Sequence, residues 1–181
     1  MNRFEKSRLT WAAADRIYRL IFPTLLPGSE IIVVEDDSPI LALDRQLGID
    51  VIMYHANGMS TTLQEKALFT AFRTITVEHE QRMGELGDWN KLRAMLYFVG
   101  YAEEQTWMFK SWILVNWTSV QIATLNGDIH WDKNSNQHDG AQASFKHIPF
   151  CSIPHDCIVN SNEAMATKPK AFSAYRGGAD A

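Results

Sequence analysis

The stretch IDVIMYHANGMSTTLQEKAL, residues 49–68, constrains the fold more than any other part of this chain. Two alternating segments, 49–55 and 61–68, flank Ala56-Asn57-Gly58, and Asn-Gly is the pair that most readily takes the positive φ of a tight turn. An antiparallel hairpin is expected, and with it a register. Residues two apart on a strand share a face, so Gln64 and Lys66 are expected on one side and Leu63 and Glu65 on the other, with Asp50 roughly opposite 64–66.

Elements around the hairpin follow from spacing and turn residues. Residues 3–22 set Phe4, Trp11, Ala14, Ile17, Tyr18 and Ile21 near one helical face, with Pro23 and Pro27-Gly28 expected to end the helix. EIIVVEDD at 30–37 offers a short strand and TITVEHE at 74–80 another, while WNKLRAMLYFVGY reads as a short helix entering a strand near 97–101. Residues 112–117 form a further strand followed by a segment of mixed, partly helical character. The polar 126–144 stretch reads as a surface loop, and FKHIPFCSIP as an edge strand limited by its prolines.

Repeated βα spacing is absent, which points to an α/β (α+β) fold with a central mixed sheet flanked by helices rather than a doubly wound one. At 181 residues the chain fits one domain. That domain is expected over 1–159, with an aperiodic, poorly ordered tail over 160–181.

No apolar run approaches the ~20 residues of a membrane span, and the charged N-terminal segment lacks the apolar centre of a secretory signal. A cytoplasmic protein without a membrane partner is the expectation. The formal net charge of -4 gives no global basic footprint, and the cluster Arg3, Lys6, Arg8, Arg16 and Arg19 reads as a solvated helix face. Cys151 and Cys157, near His147 and His155, lack the CxxC spacing of a tight zinc site and read as small core hydrophobes. GxGxxG, P-loop, GxSxG and HExxH signatures are absent.

The hairpin would gather a carboxylate, an amide oxygen and an ammonium at one end of the sheet. Oxygen donors of this hardness suit Mg²⁺ or Mn²⁺, and an ammonium beside them can stabilise charge developing on a phosphodiester. Without a metal, the same three residues form a cross-strand polar cluster worth at most ~1 kcal/mol.

An acidic helix, Asp50 opening a strand in LGIDVIMY, a hairpin return ending in the QxK of TLQEKAL, then TITVEHE and a helix-strand unit together resemble the PD-(D/E)XK nuclease superfamily over about residues 5–117. The resemblance implies a restriction-endonuclease-like core and metal-dependent phosphodiester hydrolysis, with DNA as the substrate partner. It also implies Mg²⁺ or Mn²⁺ on Asp50, Gln64 and the Glu65 backbone carbonyl, with Lys66 positioning or activating water. Members often dimerise, so a homodimer with a composite groove follows as an expectation.

Two departures bear on the site. No proline precedes Asp50, and Gln64 stands where the family carries Asp or Glu. A neutral amide binds a divalent ion less strongly than a carboxylate, so a further acid is expected. From the first helix Asp15, among apolar neighbours, is preferred to Glu5; Asp44 is the alternative. Glu78 would approach the metal region if its strand neighboured residues 61–68. Trp89, Trp107, Trp112, Trp117 and Trp131 could stack on unpaired bases, although packing accounts for Trp112 and Trp117. A noncatalytic nucleic-acid-binding or assembly protein on the same sheet is the rival expectation.

Overall fold

The computed structural model describes residues 3–25, 28, 30–33, 46–69, 73–80, 85–138 and 141–162. In chain order the elements are α1 (Arg3–Leu25), β1 (Glu30–Val33), β2 (Val51–Tyr54), β3 (Ser60–Leu68), β4 (Thr74–Glu80), α2 (Asp88–Lys91), β5 (Leu96–Ala102) and β6 (Phe109–Asn116). They continue with α3 (Trp117–Leu125), β7 (Asp132–His138), β8 (Ala141–Pro149), two 3-10 turns (Phe150–Ser152, His155–Cys157) and β9 (Ile158–Ser161). Six strands form one sheet in the order β1-β2-β3-β5-β6-β9, and three form a second in the order β4-β8-β7. Neighbouring strands run antiparallel except β3 and β5, which are parallel. The expected mixed-sheet α+β architecture is thus present.

The β2–β3 hairpin has the register Val51↔Leu63 to Tyr54↔Ser60, closed by Gly58 at φ 80° and by a His55 N–H bond to the Met59 carbonyl. Alternation then builds a core on each face of the large sheet. Val51, Met53, Leu63, Phe98 and Leu114 pack under Ala14, Tyr18 and Phe22 of α1. On the opposite face Ile52, Tyr97, Val99 and Ile113 pack against Ile75 and Val77 of β4, Ile148 of β8, Trp89 of α2 and Trp117 of α3. Central β5 is buried along its whole length, which is why LYFVGYA carries no charged residue. Gly100 is required there, because a Cβ would lie 2.3 Å from the Phe109 ring.

The second sheet is held to the first by side chains. Lys146 of β8, buried despite its charge, sets its ammonium 4.1 Å from the Trp89 ring centroid and 3.8 Å from that of Trp131. Such stacking offsets part of the cost of taking an ammonium out of water.

Several expectations are corrected. α1 continues past Pro23 to Leu25, since proline's φ suits a helix and its missing N–H forfeits one bond. Within the 126–144 stretch, expected as a surface loop, residues 132–138 form a strand: β7 pairs with β8 from Asp132↔His147 to His138↔Ala141. Its backbone bonding makes it a strand that no apolar alternation announces. FKHIPFCSIP supplies part of β8, which is the middle strand of its sheet. Phe150 N–H bonds the Arg73 carbonyl, so Pro149 sits where β4 asks for no donor.

β4 pairs with β8 and not with β3. The C-terminal edge of the large sheet reaches Ser161 in β9, beyond the expected boundary at 159. Asp44 and residues 163–181 lie outside the described residues. Among the described residues, no helix is long and apolar enough to cross a membrane.

Candidate active site

Asp50 stands where β2 parts from β3. Its N–H still bonds the Leu63 carbonyl at 2.9 Å, but the next donor of β3, Glu65 N–H, is met by the Asp50 carboxylate, at 2.6 Å to Oδ2. The same oxygen accepts from Gln64 Nε2 at 2.6 Å, and Nε2 also donates to the Glu65 carbonyl at 3.2 Å. Upstream, Gly48 turns the chain away at φ 59°, and a Cβ there would come within 2.8 Å of Gln64 Oε1. Both the conformation and the space select glycine.

Gln64 and Glu65 face opposite ways, as alternation requires. Glu65 turns under α1, where its Oε2 accepts from the Tyr18 hydroxyl at 3.2 Å. Burial raises the Glu65 carboxyl from 4.5 to about 7, with the Tyr18 bond pulling the other way. Burial first, then the charge of Glu65, holds the Tyr18 phenol well above its ordinary value. The charges of Asp50 and Asp15 act on Tyr18 in the same direction.

Asp15 is ion-paired within α1, its Oδ2 2.7 Å from Arg19 Nε, while its buried Oδ1 has no hydrogen-bond partner among the described residues. Its helix packs, through Ala14, Tyr18 and Phe22, on the face of the large sheet toward which Glu65 points. Glu5 is exposed ten residues earlier, about 15 Å along the helix.

Lys66 follows Gln64's parity, and its ammonium reaches β4, donating to the Thr76 carbonyl at 2.8 Å. Nearby, the Tyr101 hydroxyl accepts from Thr74 N–H at 3.1 Å and donates to the Thr74 carbonyl at 2.7 Å. Two side chains of the large sheet thus bond the edge of β4 that faces away from β8. Burial lowers the Lys66 pKa, and Asp88 then Glu78 oppose the shift. Tyr97, the register partner of Gln64, is raised by burial and then by Asp88 and Asp50.

Asp88 is the acid that sequence reasoning missed. Its place depends on Gly87, whose N–H bonds the His79 carbonyl at 3.0 Å and whose Cβ, if present, would lie 2.5 Å from the Glu78 carbonyl. This long-range contact leaves no mark in the local pattern GELGD beyond the glycine itself. Glu78, weighed on the premise that β4 adjoins β3, acts on Lys66 through its charge although β4 belongs to the other sheet.

Other candidates resolve into packing. Trp117 is fully buried against Trp89 and Tyr97, and Trp112 stacks on Phe98. Cys157 is buried, its thiol pushed up to about 11 chiefly by burial, whereas Cys151 is exposed.

Among the described residues, no three carboxylate, imidazole or thiol side chains gather as a metal-holding set. The oxygens available around Asp50 are its own carboxylate, the Glu65 carbonyl and, on rotation of its amide, Gln64 Oε1. No family model, curated protein or solved structure matches the chain.

Proposed function

We propose that this protein is a metal-dependent nuclease that hydrolyses phosphodiester bonds in DNA, with Mg²⁺ or Mn²⁺ held at Asp50. The observation that carries the proposal is the position of Gln64 Nε2 between Asp50 Oδ2 and the Glu65 carbonyl. An N–H donor, the positive end of a dipole, sits in a two-oxygen cradle of the kind that accepts a hard cation.

The donor set fits such an ion: Asp50, the Glu65 carbonyl and the Gln64 amide are all oxygen ligands, completed by water. A single formal charge makes this a weak site, because Glu65's own carboxyl faces α1. When bound, the ion would supply Lewis acidity and lower the pKa of its water. Within the chain, Gln64 would rotate its amide, and Lys66 would exchange the Thr76 carbonyl for a phosphate oxygen. Asp88 and Glu78 favour the charged lysine against its burial.

Support also comes from element order, since α1, the β2–β3 hairpin, β4 and the α2–β5 unit follow one another as in the resemblance, although β4 joins a second sheet. The same resemblance supports a homodimer.

A second reading rests on its own observation: Asp50 Oδ2 already accepts two hydrogen bonds and Lys66 already bonds β4. A noncatalytic nucleic-acid-binding or assembly protein would need no more from them. Divalent-ion titrations with plasmid and oligonucleotide substrates separate the two. Cleavage that needs Mg²⁺ or Mn²⁺ and drops at least a hundredfold in Asp50→Asn and Lys66→Met is expected; undiminished cleavage by either purified variant overturns the catalytic assignment.

A further inference from the structure

Of the five tryptophans weighed as stacking partners for unpaired bases, the core accounts for four. Trp89 and Trp117 lie within it, and Trp112 and Trp131 pack against it. Among the described residues, Trp107 joins neither core cluster. It stands half-buried in the turn between β5 and β6, at φ 59°. A bulky L-residue is a genuine outlier in that region, whereas glycine enters it freely.

The turn is built to hold it there. Trp107 N–H bonds the Glu103 carbonyl at 2.8 Å, and Glu103 N–H bonds the Met108 carbonyl at 3.0 Å. The Glu103 carboxylate accepts from the Thr106 hydroxyl at 3.1 Å and pairs with the Lys110 ammonium at 2.7 Å. Strain of this kind persists only where its surroundings over-determine it, and it gathers at ligand clamps and active sites. The Phe69 ring meets Trp107 edge-to-face, with centroids 5.4 Å apart, and so helps to set the plane of the indole.

Position ties this pair to the candidate site. β3 and β5 are the parallel pair of the large sheet and end side by side, with Leu68 opposite Tyr101; Phe69 follows the one and the Trp107 turn follows the other. Phe69 lies three residues beyond Lys66, about 10 Å along the strand, or roughly three nucleotides of a stacked strand. The Tyr101 hydroxyl, by accepting from Thr74 N–H, brings the exposed Arg73 to the same end. An indole and a guanidinium beside the Lys66 end of β3 match a base and the phosphates next to it. A paired base is enclosed in its own stack, so only an unpaired one can meet the indole.

We propose that Trp107 is a stacking residue for an unpaired base and that the substrate of the site is single-stranded DNA. The proposal deepens the nuclease reading and rests on it for the choice of DNA.

The test uses the full chain in EDTA, so that binding is read without cleavage. A single-stranded 12-mer DNA carries 2-aminopurine at one position at a time, a base whose fluorescence falls when it stacks on an aromatic ring. The wild type is expected to quench adjacent positions and to bind the single strand more tightly than its duplex. Trp107→Gly suits the positive φ, and it should lose the quenching and bind the single strand roughly 5- to 150-fold more weakly. Trp107→Tyr keeps an aromatic face and should retain the quenching, whereas Trp107→Leu should lose it.

Wild-type affinity no higher for the single strand than for the duplex, quenching that persists in Trp107→Gly, or equal quenching by the tyrosine and leucine variants overturns the proposal. Cleavage of the same oligonucleotide with Mg²⁺ or Mn²⁺ is read separately. Its absence overturns the nuclease reading, while the quenching in EDTA decides the stacking site.

Discussion

Gln64 Nε2 lies 2.6 Å from Asp50 Oδ2 and 3.2 Å from the Glu65 carbonyl, so the amide nitrogen competes for the oxygens that a divalent ion would use. Gln64→Glu exchanges that competitor for a ligand. It should raise Mn²⁺ affinity at least tenfold, measured by calorimetry, because a second carboxylate doubles the formal charge of the donor set. Without metal the two carboxylates repel, and the variant should be about 1–3 kcal/mol less stable than wild type, with Mn²⁺ restoring the difference. Unchanged Mn²⁺ affinity would remove the ion from this site.

Asp50 also closes the sheet where β2 ends, and that role predicts a graded loss. Asp50→Asn retains an acceptor for Glu65 N–H but gives up charge assistance, for about 1 kcal/mol. Asp50→Ala leaves a half-buried N–H without its acceptor and should cost about 2–3 kcal/mol. Urea unfolding of both variants measures the difference; equal losses would show that the hydrogen bond to Glu65 contributes little.

Glu65 carries a pH dependence whose sign follows from its environment. Its folded pKa is raised by burial from 4.5 to about 7, so between these values the native state binds more protons than the unfolded chain. Stability from this group is fully present below pH 4.5, declines as pH rises to about 7 and is then level; the whole change is about 3 kcal/mol at most. Glu65→Gln should flatten that part of the stability–pH curve while leaving Asp50's bonds in place. A curve of unchanged slope in the variant would locate the titration elsewhere.

The contrast between residues 49–68 and 132–138 explains what the sequence could disclose. In the hairpin, Asn57-Gly58 fixes the turn and alternation fixes the faces, so the Asp50–Gln64 partnership and the opposite facing of Glu65 were both legible. β7 has no apolar residue to set a period, and only its ladder to β8 makes it a strand. Lys66 was legible as a face and not as a bond, because the Thr76 carbonyl comes from a second sheet whose partner choice leaves no local pattern. Asp88 was hidden for the same reason, its position depending on how closely Gly87 meets β4.

That bond sets a final prediction, which separates structure from chemistry at Lys66. The Lys66 ammonium and the Tyr101 hydroxyl satisfy Thr76 and Thr74 on the outer edge of β4. Lys66→Met preserves the stem and leaves the Thr76 carbonyl without this donor, at a cost of about 1–2 kcal/mol. Tyr101→Phe removes an acceptor and a donor together, and amide exchange at Thr74 N–H should quicken at least tenfold. If the lysine only fastened β4, Lys66→Met would speed exchange along β4 and leave phosphodiester cleavage per folded molecule unchanged. The nuclease reading expects that cleavage to collapse under conditions where hydrogen exchange shows β4 still protected.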